Sequence, residues 1–127
     1  MTGVDAQVHE QFKVFVGDAG ERSGISHLAA QVESFVANRG VAAKSIGVEF
    51  LERSSKLVLT LGYREGEGTY PVRLTSHSLG TVDGREEDLG ALEGRMTEAA
   101  SSLHGVLCHE LFVTDANEFV MVFLVRA

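Results

Sequence analysis

The sequence predicts an α+β fold: an antiparallel β-sheet with two helices packed on one face, arranged as a pseudo-repeat of two β-α-β-β units. Three observations predict it. Two segments carry apolar residues at helical spacing. Several others alternate apolar and polar residues with period two, separated by glycine-containing turns. A shift of 61 to 62 positions lays the first half of the chain on the second.

Val8 to Val16 (VHEQFKVFV) reads as the first strand. Val8, Phe12, Val14 and Val16 fall on one side, with Glu10 as the exception; His9, Gln11, Lys13 and Phe15 fall on the more polar side. Gly17 to Gly24 breaks the pattern and reads as a loop. A helix is expected over 25–39, with Ile25, Leu28, Val32, Phe35 and Val36 on its stripe and Gly40 ending it in the left-handed conformation. Ser45 to Glu52, Lys56 to Arg64 and Thr69 to Ser78 read as three strands. The loop Glu65-Gly66-Glu67-Gly68 has hairpin chemistry, since glycine adopts positive φ freely. Pro71 cannot donate a ladder hydrogen bond, which predicts an edge or near-terminal place. A second helix is expected from about Arg85 to His104, with Leu89, Leu92, Met96, Ala99, Ala100 and Leu103 on its stripe. Asp83 and Glu86 have capping-box spacing. Gly105 stops this helix. Val106 to Val113 and Glu118 to Val125 form a last hairpin around 114–117.

The repeat organises these elements. Leu28 falls on Leu89, Phe35 on Met96, and Glu49-Phe50-Leu51 on Glu110-Leu111-Phe112. A single domain over 1–127 is expected, with halves at about 8–64 and 69–126. In order of elements alone, helix, three strands, helix and two strands is similar to that of small acidic secretion chaperones. The first strand is an addition to that order.

The chain has 127 residues, 44% hydrophobic, with a formal charge of −7. That length and apolar content suit one core without a metal or disulfide staple. Residues 1–63 carry seven acids and six bases, and residues 64–127 carry eleven acids and five bases. Acidity of this kind argues against nucleic acid as a partner. No apolar run approaches the roughly 20 residues that span a bilayer, so no membrane partner is expected. The N-terminus has no basic start and apolar segment of a signal peptide. One cysteine cannot form an internal disulfide, and a cytoplasmic location is expected.

The densest group of reactive residue types is Ser102 to Glu110 (SLHGVLCHE). Cys108, His109 and Glu110 are weak catalytic candidates there, together with His77. Neighbours on a strand point to opposite faces, so Cys108 and Glu110 share one face and His109 takes the other. Arg73, Thr75 and His77 project from one side of their strand and are ligand-binding candidates. Glu86, Glu87 and Asp88 are candidates for docking a basic partner, although acids also suit a helix's first turn. The loop Gly17 to Gly24 fits neither phosphate-binding pattern, and Asp18 and Glu21 would repel phosphate. No C-x-x-C or H-x-x-x-H spacing is present, so no metal and no cofactor are expected.

The last hairpin is apolar on both sides, and such strands are usually covered on both faces. Two helices on one face leave the other face open. Covering about 600 Å² of apolar surface there would contribute of the order of 15 kcal/mol before association costs. The sequence therefore favours a small, self-associating, non-enzymatic binding or accessory protein, a dimer or a complex with a protein partner. The alternative is a small-molecule pocket or enzyme on the open face around His77, Arg73, His109 and Glu110.

Overall fold

The computed structural model describes residues 10–18, 22–51, 53–81, 86–114 and 117–127. The elements run β1 (Gln11–Asp18), α1 (Arg22–Arg39), β2 (Ala42–Leu51), β3 (Lys56–Arg64), β4 (Val72–Thr81), α2 (Glu86–Ser101), β5 (Val106–Val113) and β6 (Glu118–Arg126). The class is α+β with antiparallel pairing, as predicted. The strands form two three-stranded sheets, β1-β3-β2 and β4-β6-β5. The expected strand start at Val8 and the Asp83 cap lie outside the described residues.

Local chemistry explains most boundaries. Gly40 has φ 66°, and its N–H donates to the Val36 carbonyl at 2.9 Å, closing α1 as expected. Gly105 stands at φ 70° between α2 and β5. Pro71 precedes β4, which is an edge strand. Gly66 and Gly68 take φ 82° and 86°, yet the predicted hairpin does not form. β3 and β4 belong to different sheets, so this loop carries the chain from one sheet to the other.

Ion pairs hold that crossing. Arg39 Nη2 lies 3.0 Å from Glu65, Lys44 Nζ 2.9 Å from Glu67, and Arg64 Nη1 3.3 Å from Glu67. The Lys44 hydrogen bond, helped by Arg64, holds the Glu67 carboxyl below its ordinary value of 4.5. A depressed folded value stabilises the fold above 4.5, and that contribution is lost as pH falls through the folded value. Glu67→Gln should therefore flatten part of the acid side of a stability–pH curve and leave the neutral region little changed, because the pair is exposed.

The main core is shared by both sheets and α1. Ile25, Leu28, Val32 and Val36 of α1 pack with Leu57, Leu59, Leu61 and Tyr63 of β3 and with Val120, Val122 and Leu124 of β6. Phe35 meets Phe15 and Tyr63 edge-on, at 5.8 and 5.2 Å between ring centroids. Helix α1 touches β1, β3 and β4. It also ties down the two outermost strands. Gln31 Nε2 donates to the Val16 carbonyl of β1 at 3.4 Å. The Leu74 N–H of β4 donates to Glu33 Oε2 at 3.1 Å.

A second cluster lies on the opposite side of β6. Met121, Phe123 and Val125 pack there with Leu79 of β4, Leu92 of α2, and the half-buried Met96, Ala99, Ala100 and Leu103. Alternate residues of one strand thus face different helices. The two helices take different faces of β4-β6-β5, where the sequence reading placed them on one. The cause is β6 itself: apolar on both sides and central in its sheet, it is covered on both. Leu89, expected on the α2 stripe, is 46% exposed.

Strand β1 is turned the other way from its apparent pattern. Phe15, on the more polar side, is 6% exposed and faces α1. Phe12, Val14 and Val16 are 64%, 55% and 51% exposed. The single ring of Phe15, held between α1 and β3, decides which side is buried.

Candidate functional site

Arg73, Thr75 and His77 share one side of β4 by strand alternation, and His109 of β5 joins them across β6. Thr75 pairs with Phe123, His109 pairs with Phe123, and His77 pairs with Met121. The His77 and His109 rings stand edge-on to Phe123 at 5.5 and 6.2 Å between centroids. Phe123 sits between them, so the two imidazoles flank a buried ring rather than converge on a space. The Thr75 hydroxyl is buried without a hydrogen-bond partner. This is the face on which α2 packs.

Cys108 and Glu110 point to the other side of β5, as their spacing predicts. Beside them runs β2. Ile46 offers its backbone N–H to the Cys108 sulfur. Gly47, Val48 and Glu49 share a shallow depression with Glu110. Phe50 and Leu51 share another with Val113. These neighbours advance together, so β2 and β5 run side by side in the same direction without joining the sheets. The geometry therefore separates Glu110 from the Arg73, His77 and His109 face. Among the described residues, no three His, Cys, Asp or Glu side chains are placed to hold a metal ion. Asp88 is half-buried on α2; the side chains of Glu86 and Glu87 lie outside the described residues.

Burial pushes the Cys108 thiol up from 9.0 to about 11, with the Ile46 N–H opposing and the Glu110 carboxylate adding to the shift. A thiol held protonated is a poor nucleophile. Because the folded value is raised, stability is full below 9.0 and falls as pH rises through the folded value near 11. Unfolding measured across that window should show a decline that Cys108→Ala removes.

The surface that sequence reasoning missed is the outer face of β1-β3-β2, the side away from α1. Its rows are Phe12–Gly62–Ser45, Val14–Thr60–Gly47, Val16–Val58–Glu49 and Asp18–Lys56–Leu51. At one end the Ser45 hydroxyl donates to Glu10 Oε1 at 3.1 Å, above Gly62. Along the β1 edge Phe12, Val14 and Val16 are apolar and each more than half exposed.

Strand registers bring the two sheets into correspondence. Phe12 pairs with Gly62 in one, and Leu74 pairs with Leu124 in the other, both 62 positions later. On this alignment Val58, Thr60 and Gly62 match Val120, Val122 and Leu124. The second set is buried in the shared core; the first set looks outward. The same alignment matches His77 to Phe15, a residue of that core. The apolar run Phe12, Val14, Val16 was the available signal, but its alternation reads as a buried side.

Compared with models of protein families, with curated proteins and with solved structures, the chain matches none.

Proposed function

We propose that this protein is a self-associating binding or accessory protein of the cytoplasm, not an enzyme, and that its working surface is the outer face of β1-β3-β2. One observation carries the reading: Phe12, Val14 and Val16 form a contiguous apolar stripe, each more than half exposed, on a regular strand. A stripe of this kind marks an interaction surface. The site chemistry agrees. Cys108 is held as a thiol, and His77 and His109 are separated by Phe123. The single cysteine suits a reducing compartment. Light scattering at micromolar concentration should give a mass about twice the 13.7 kDa of the chain. A mass of one chain throughout the micromolar range would contradict self-association.

A further inference from the structure

We infer that α2 is a lid: it opens as a unit from the β4-β6-β5 face while the core around α1 stays folded, and its opening bares Met121, Phe123 and Val125 beside the Thr75 hydroxyl. The motion belongs to a single chain and does not rest on the self-association proposed above.

The two helices hold corresponding places in the repeat but are held very differently. α1 buries Ile25, Leu28, Val32 and Val36 in the core shared by both sheets. It also bonds to β1 through Gln31 and to β4 through Glu33. Among the described residues, α2 buries Leu92 alone, with Met96, Ala99 and Ala100 half-buried. The sequence explains the difference. On the shift that lays Leu28 on Leu89, Val32 falls on Glu93 and Val36 on Thr97. Leu89, Glu93 and Thr97 are all exposed. The positions by which α1 enters the shared core thus face solvent in α2. The Thr97 and Ser101 hydroxyls donate to the Glu93 and Glu98 carbonyls of α2 itself, while Arg95 reaches the sheet at the Leu79 carbonyl.

Nor does α2 have much stability of its own. A helix of 16 residues is marginal in water. Gly90 and Gly94 each weaken it about four- to fivefold relative to alanine. A Cβ at either position would meet nothing within 4 Å, so neither glycine serves close packing. Once undocked, α2 therefore melts and its amides exchange.

What lies beneath allows this. The face under α2 is the small cluster of Leu79, Met121, Phe123 and Val125. The Thr75 hydroxyl on the same face is buried without a hydrogen-bond partner. Burial of that kind is unfavourable, and hydration on opening relieves it. Val120, Val122 and Leu124, on the opposite side of β6, remain in the α1 core, so the sheet keeps its form while α2 lifts. A helix held this weakly belongs at the low end of local stabilities.

The test is native-state hydrogen exchange on the full chain in increasing urea, read amide by amide. The α2 amides should exchange at least about 100-fold faster than the slowest of α1 and β6, with a weak urea dependence until global unfolding overtakes them. Gly90→Ala and Gly94→Ala should each slow α2 exchange about four- to fivefold. Ile46→Val, in the core shared with α1, should quicken α1 and β6 about two- to tenfold and leave α2 unchanged. Exchange of α2 that coincides with that of α1 and β6, or that quickens with them in Ile46→Val, would overturn the lid. So would glycine variants that leave α2 exchange unaltered.

Discussion

Phe123→Ala should lower stability by about 3–5 kcal/mol, read as the loss of unfolding free energy in urea. The ring is fully buried under α2 and touches His77 and His109 edge-on. Its removal leaves a cavity that two strand-borne imidazoles and a helix cannot close without moving the backbone. Damage should be local. The α2 side of β4-β6-β5 loses its central contact, while Val122 and Leu124 still face the core shared with α1. Hydrogen exchange should therefore quicken most in α2, and the His77 and His109 ring resonances should both shift. A loss below about 1 kcal/mol would mean that α2 is not held as described.

Phe15→Ala and Phe12→Ala should differ sharply, although the residues lie three apart on one strand. Phe15 is 6% exposed and anchors β1 against Phe35; Phe12 is 64% exposed. In dilute solution the first should cost about 3–5 kcal/mol and the second under about 0.5 kcal/mol. The reverse order would put the Phe12 side of β1 inward and remove the open face altogether.

Period and turn chemistry made the element list legible. β3 and β5 have the bounds that alternation predicts, and Gly40 ends α1 with the expected positive φ. The repeat was legible too, because strand registers in both sheets superpose at 62 positions. Three features were not. The Glu65 to Gly68 loop has turn residues, but glycine permits a sharp bend without choosing which strand pairs next. The side of β1 that is buried depends on one aromatic ring meeting α1 and β3, a long-range fact. The cover on β6 depends on both helices, so its two apolar sides, which suggested an unmet surface in the last hairpin, are satisfied within the chain. The unmet surface lies on β1, in the half where the charge is nearly balanced.

The candidate polar residues were placed correctly by alternation, one by one. Cys108 and Glu110 do share a side, and Arg73, Thr75 and His77 share another. Alternation carries no information about what stands between two strands. Phe123 stands between His77 and His109, and the seam with β2 takes Glu110 away from both.

The central claim is that the outer face of β1-β3-β2 becomes covered when the protein associates. Hydroxyl-radical footprinting across a dilution series tests it most directly, with Leu89 of α2 as an exposed internal reference. Oxidation of Phe12 and Val14 should fall severalfold as concentration rises, while that of Leu89 stays constant. Constant labelling of Phe12 and Val14 across a range in which the mass doubles would contradict the account.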